Sequence, residues 1–248
     1  MIVMNTLLNL QGYKHSMKPL GWLVRGLMLS LSAMTLSACS ALGPSTTATS
    51  TFYSIDNLWR EQNNVPKQAT QSGNATTQPT LTLAISPPHA AAGFDSARML
   101  YVRQPHKIEY FAHNEWIEPP ARMLEPLLVA ATERTGAFRA VVMSPNSTTS
   151  DLRLNTEIIR LQHDFSTQPS RVRFTLRATL VDDNTRRVIA GEEFDESVEA
   201  KSEDPYGGVL ATNAVIKTVL EKLAVFSAAA AQNSSSVAAE YNSPVFKP

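Results

Sequence analysis

Arg171-Val172-Arg173-Phe174-Thr175-Leu176-Arg177-Ala178-Thr179-Leu180 alternates side-chain character residue by residue. Successive residues of a strand point to opposite faces, so Val172, Phe174, Leu176, Ala178 and Leu180 share one face. Arg171, Arg173, Thr175, Arg177 and Thr179 share the other. A strand with one apolar and one charged face belongs to a sheet buried on one side only. The turn signal Asp182-Asp183-Asn184-Thr185 follows, and the chain returns over Arg187 to Glu199 as an antiparallel partner. Glu193, Asp195 and Glu199 on that return lie opposite the arginines, so cross-strand ion pairing on a wet face explains the charges without a basic binding patch.

Upstream, the stretch Asp151 to Asp164 places Leu152, Leu154, Thr156 and Ile158 on one face and Arg153, Asn155 and Glu157 on the other. Further runs read as strands at Phe52-Tyr53-Ser54-Ile55, Leu81 to Ile85 and Phe138 to Met143. Met99 to Arg103 and Lys107 to Ala112 form a hairpin about Gln104-Pro105-His106, and His113-Asn114 reads as a second turn before Trp116. Pro119-Pro120 opens a helix whose apolar residues Met123, Leu124, Leu127, Leu128 and Ala131 recur at helical spacing, with Gly136 as its stop. Gly207-Gly208 after Pro205 marks the start of a closing helix from about Tyr206 to Ala230, with Val209, Leu210, Ala214, Ile216, Val219, Leu220 and Leu223 as its stripe. The layout is α+β: a mostly antiparallel sheet carrying two main helices on one face.

The 248-residue chain is 43% apolar with a net charge of zero, which describes a globular protein able to build a core. No concentrated basic face is present, so no nucleic-acid partner is expected. The only cysteine, Cys39, closes Leu36-Ser37-Ala38-Cys39. That run follows the cations Lys14, Lys18 and Arg25 and the apolar stretch Leu27 to Leu36, the parts of a secretory signal peptide. The apolar stretch is about half the ~20 residues a membrane-spanning helix needs. Leu36 to Cys39 resembles the lipobox of bacterial lipoproteins, which implies that Cys39 becomes the first mature residue, carrying a diacylglycerol thioether and an acylated amine. Ser40, where an Asp would retain the protein in the inner membrane, implies sorting to the outer membrane, facing the periplasm.

These readings divide the chain into a lipoprotein-type signal peptide over 1–38 and a lipidated flexible tether over 39–51. An α+β domain over 52–231 follows, with a polar loop at about 62–79, and then a mobile tail over 232–248. Translation from Met17 gives a compact charged start of its own and fits as well as Met1.

Catalytic chemistry has no footing here. No nucleophile elbow, P-loop or dinucleotide glycine motif occurs. Asp182-Asp183 belongs to a turn and Glu192-Glu193 to a strand facing arginines, so neither reads as a catalytic carboxylate pair. His106, Glu109, His113 and Glu115 crowd one hairpin without the compact spacing of metal ligands. No cofactor is expected beyond the covalent lipid on Cys39.

One ordered set of residues carries a family likeness. Met99-Leu100-Tyr101-Val102-Arg103, Ile108-Glu109-Tyr110 and Asn114-Glu115-Trp116-Ile117-Glu118-Pro119-Pro120 lead into the helix that ends before Gly136-Ala137-Phe138, and Tyr53 opens the first strand. In this order, with the lipobox before and a long helix after, the chain resembles the ABC-type transport auxiliary lipoproteins over about residues 52–228. That family is paired with Mce-type intermembrane lipid transporters. The resemblance implies a non-catalytic outer-membrane component that docks an Mce-domain protein of an ABC transporter, for phospholipid passage between bilayers. It also implies a ring of several copies, because Mce proteins are rings. Tyr101, Tyr110 and Trp116 are the candidate interaction surface, against the simpler role of strand aromatics in a core. Two other classes stay open. One is a lipoprotein shuttle for a small hydrophobic ligand, which needs an enclosed apolar pocket. The other is an envelope-structural lipoprotein that would bind peptidoglycan and no transporter.

Overall fold

A computed structural model describes residues 49–56, 59, 79–145 and 148–241, with side chains to residue 234, all within the unit Thr49–Pro248. The leader, Cys39 and most of the polar loop, residues 62–78, lie outside the described residues. The strands are β1 (Thr51–Tyr53), β2 (Thr82–Ile85), β3 (His89–Ala90), β4 (Arg98–Gln104), β5 (Lys107–Trp116), β6 (Ala140–Met143), β7 (Leu152–Asp164), β8 (Arg171–Asp182) and β9 (Val188–Glu199). Helix α1 is Pro120–Glu133 and helix α2 is Pro205–Tyr241.

The long antiparallel ladders β7–β8 and β8–β9 form the body of a nine-stranded, mostly antiparallel sheet. Along the other edge of β7, three short strands pair with it in succession. Leu83 of β2 faces Leu152, His89 of β3 faces Glu157, and Tyr101 of β4 faces His163. These joins are parallel, as are β2–β6 and β1–β5. All four residues of β2 are buried, because β2 lies between β6 and β7.

Both helices cover one face. Phe174, Leu176 and Leu180 of β8, Leu154 and Ile158 of β7, Leu124 and Leu128 of α1, and Ile216, Leu220 and Leu223 of α2 are wholly buried in one core. On the opposite face Arg171 pairs with Glu199 at 3.0 Å and Arg173 with Asp195 at 2.9 Å. Arg177 bridges Glu193 at 3.0 Å and Glu157 at 3.3 Å, as the charge pattern predicts.

Several local expectations change. His113 and Asn114 do not turn the chain, since β5 runs through them to Trp116 and a register shift absorbs the irregularity. The hairpin turn itself is Pro105-His106, with His106 at φ 67°; proline followed by a positive φ suits a two-residue turn of the type II kind. The burial pattern of β7 changes phase after Ile158, where a register shift between Ile158 and Arg160 moves Leu161 and His163 onto the core side. Helix α2 does not stop at Ala230 but continues to Tyr241, since no Gly or Pro interrupts residues 231–241. Ile55 and Trp59 also join the core: Ile55 N–H points at Met123 Sδ at 3.5 Å, and the Trp59 indole N–H donates to Glu221 Oε1 at 3.4 Å.

The start of α2 requires both of its glycines. Asp204 caps it, accepting the Gly207 amide at 2.7 Å. A Cβ on Gly207 would lie 2.2 Å from the Ser202 carbonyl oxygen, and one on Gly208 would lie 2.5 Å from His163 Nδ1. The Gly207 neighbour is backbone and cannot swing aside. Gly207→Ala is therefore expected to lower stability by roughly 2–3 kcal/mol in urea unfolding, the upper range for overpacking.

The β8–β9 turn holds a partly buried ion pair. Arg153 donates to Asp183 at 2.7 and 2.9 Å, and Ser150 adds a further hydrogen bond. The Arg153 hydrogen bonds, then that of Ser150, hold the Asp183 carboxyl at about 2 against its ordinary 3.8. A depressed folded pKa contributes stability that is present above pH ~4 and is lost as the pH falls toward 2. Asp183→Asn should thus cost roughly 1 kcal/mol at neutral pH, the linkage effect reduced by solvent screening. Urea midpoints of variant and wild type should converge at pH 2.

Candidate functional site

Strand periodicity separates the aromatic residues singled out in the sequence. In the β4–β5 ladder Leu100 faces Tyr110 while Tyr101 faces Glu109, so Tyr101 and Tyr110 project from opposite faces of the hairpin. The half-buried Tyr101 ring lies 4.6 Å from Phe111 and edge-on to Phe165 at 5.9 Å, with the Arg103 guanidinium 5.0 Å from its centroid. Tyr110 carries the Arg98 guanidinium 3.6 Å above its ring, a close cation–π contact. Trp116 is only 4% exposed and belongs to the core, so as a contact residue it is corrected: it offers no surface to a partner. The three therefore do not form one patch.

Tyr101 belongs instead to an aromatic cluster over the end of β7, with Phe111, His163 and Phe165. His163 is buried, its Nε2 lies 2.9 Å from Ser170 Oγ, and burial pushes its pKa below the ordinary value. Ser170 N–H in turn donates to Glu203 Oε1 at 2.8 Å, tying the strand end to the segment that caps α2. The cavity among Trp116, Phe111, His163 and Gly208 has a volume of about 10 Å³, barely one water molecule. It cannot admit a lipid chain.

Between α2 and β9 runs an open trough of about 500 Å³, lined by Phe194, Val225 and Phe226 with Thr218, Glu221 and Lys222 at its margins. Phe194 and Phe226 meet edge to face at 5.9 Å. Val225 is 67% exposed beside them. Lys222 pairs with Glu196 across the trough, fixing helix to strand. Among the described residues β9 pairs with β8 alone, so its outer backbone is a sheet edge along the same trough. Sequence reasoning passed over this surface. The available signal was Val225-Phe226, where an apolar residue stands outside the buried stripe of the helix.

Among the described residues no group of three or more His, Cys, Asp or Glu side chains is placed to hold a metal ion, and the hairpin residues His106, Glu109, His113 and Glu115 form none. No helix among the described residues is long and apolar enough to cross a membrane.

Residues 64–224 match the family described as the ABC-type transport auxiliary lipoprotein component. The matched stretch begins before β2 and ends within α2. Among solved structures the chain is similar to protein XCC0632 from Xanthomonas campestris, with 24% identity, a TM-score of 0.59, and coverage of 66% of this chain and 93% of that one. It is also similar to an uncharacterized protein, with 12% identity, a TM-score of 0.53, and coverage of 71% and 97%. Both likenesses speak for the fold. No curated protein matches. On the match over most of its sheet and both helices, this chain belongs to the ABC-type transport auxiliary lipoprotein family.

Proposed function

We propose that the mature protein begins at Cys39, is held in the outer membrane by lipid on that residue, and docks an Mce-domain protein of an ABC transporter from the periplasmic face. Residues 1–38 serve as the signal peptide, 39–51 as the lipidated tether, and the domain from residue 52 as the docking body. The family match over residues 64–224 carries this reading. The transported molecule is a phospholipid, and several copies assemble as a ring to meet the ring of the Mce partner.

The α2–β9 trough is the docking surface favoured for that partner, being open, apolar and bordered by a strand edge. Tyr101 and Tyr110, on opposite faces of the β4–β5 hairpin, are two separate further contact positions rather than one. The cavity beside His163, about 10 Å³, is too small for the ligand of a hydrophobic shuttle, which would need roughly 300 Å³ or more, and the larger α2–β9 trough is open rather than enclosed.

The test is purification of the lipoprotein from solubilised envelopes, with Cys39→Ala to separate anchoring from partner binding. Recovery of an Mce-domain protein with its ATPase and permease supports the docking role. Val225→Glu, at an exposed position, should reduce that recovery about tenfold, the effect of placing one charge in an apolar contact. Recovery of extractable lipid with no protein partner would favour the shuttle, and binding to peptidoglycan alone would favour the envelope-structural role.

A further inference from the structure

The edge of the sheet nearest the tether carries a second apolar surface, separate from the α2–β9 trough. Phe52 of β1 is 60% exposed, Ile117 63%, Tyr206 57% and Leu210 40%. They reach β1 from its two faces: Phe52, in register with Glu115, points away from the face of Tyr53, against which Tyr206 lies. Ile117 N–H donates to the Tyr53 carbonyl at 2.8 Å, and the Tyr53 and Tyr206 rings are 6.4 Å apart. Leu210 lies one helical turn beyond Tyr206. The four side chains thus stand about β1, which among the described residues pairs with β5 alone. Large apolar side chains gathered on an exposed rim mark a contact surface rather than scattered exposure.

The position of this rim identifies its occupant. Phe52 is the second residue of the first described strand, and only residues 40–50 separate that strand from Cys39. Fully extended, that stretch reaches at most about 40 Å, and as a flexible chain about 20 Å. A lipid on Cys39 would hold the rim beside the bilayer at a high effective concentration, so even a weak apolar contact would be occupied. Tyrosine and phenylalanine suit the headgroup boundary, where one part of the side chain is wet and the other apolar. The flanking charges in sequence are acidic, Asp56, Glu115 and Glu118, which fits a zwitterionic surface with ammonium headgroups and opposes an anionic one.

We propose that Phe52, Ile117, Tyr206 and Leu210 form a bilayer-contact rim that seats the domain on the membrane holding its anchor. This rests on the lipidation of Cys39 proposed above. The rim fixes the orientation of the domain: β1 and the start of α2 face the lipid, leaving the α2–β9 trough for a protein partner.

The test is hydrogen exchange of the full mature lipoprotein reconstituted in vesicles of phosphatidylethanolamine and phosphatidylcholine. Amides of residues 49–56 and 205–212 should exchange roughly fivefold more slowly in vesicles than in the soluble Cys39→Ser protein. The anchored triple variant Phe52→Ser, Tyr206→Ser, Leu210→Ser should lose this protection while its β7–β8 amides stay protected, showing an intact fold. Mass spectrometry of the same sample reports acylation. A lipidated, vesicle-bound protein with unchanged exchange in these segments overturns the rim and leaves the anchor standing. Protection that grows with protein density at constant lipid assigns the rim to a second copy and overturns the bilayer contact. Absence of acyl mass on Cys39 overturns the anchoring, and the rim with it.

Discussion

Replacement of Cys39 by alanine, behind a leader ending in a cleavable Ala-x-Ala, is expected to move the protein from the detergent-extracted membrane fraction to the soluble periplasmic fraction. The size of the effect follows from the lipid. Each buried methylene contributes ~0.8 kcal/mol, and one acyl chain alone gives only marginal binding. A diacylglyceryl group with an amide-linked acyl chain makes release negligible, whereas the rim of exposed apolar residues alone would hold the domain weakly. The membrane-to-soluble ratio should therefore fall at least ~100-fold. Fractionation with intact-mass measurement reads both halves of the prediction. Equal fractionation of wild type and variant, with no acyl mass on the wild type, would contradict it.

The second large effect concerns the sheet. Phe174 is wholly buried in β8, the strand flanked by β7 and β9 over almost its whole length. Phe174→Ala removes a ring that the surrounding strands and α2 cannot collapse to replace. The expected loss is about 3–5 kcal/mol in urea unfolding. Against a total of roughly 5–15 kcal/mol for an ordinary domain, this leaves a substantial unfolded fraction at 37 °C. Val225→Ala, at a 67% exposed position, is the control and should cost no more than about 0.5 kcal/mol. Similar losses for the two would mean that the core does not lie where the alternation places it.

The alternation in residues 171–180 locates the buried face of β8 because side-chain direction in a strand depends only on position along the chain. The apolar stripe of α2 is legible on the same ground at Val209, Ile216, Val219, Leu220 and Leu223, whereas Leu210 and Ala214, read into the same stripe, are exposed. Both patterns are local. The parallel joining of β2, β3 and β4 along one edge of β7 is not local, since nothing in Thr82–Ile85 records that its neighbours are Leu152–Leu154 on one side and Ala140–Met143 on the other. The phase change after Ile158 is hidden for a related reason: a one-residue bulge leaves each half-strand with a normal alternation and shifts only their relation.

The candidate surface was legible only in part. Tyr101 and Tyr110 stand nine residues apart in sequence, but their faces depend on the register of the β4–β5 turn, which pairs Leu100 with Tyr110. Trp116 resembles a contact aromatic in sequence and is a core residue in the fold. The α2–β9 trough and the β1 rim each need two elements distant in sequence, so a scan along the chain finds Val225 or Phe52 only as single exposed apolar residues. The family likeness, by contrast, rests on the order of aromatic strands and helices, and the family matches residues 64–224.

A tether between a transporter assembly and a bilayer can be read by flotation. Phospholipid vesicles carrying the lipidated protein are mixed with the detergent-purified Mce-domain assembly of the same envelope and floated through a density gradient. The assembly should rise with vesicles bearing the wild-type protein, and stay at the bottom with bare vesicles or with vesicles bearing Val225→Glu. An assembly that remains at the bottom while the wild-type lipoprotein floats would mean that the lipoprotein is not its tether.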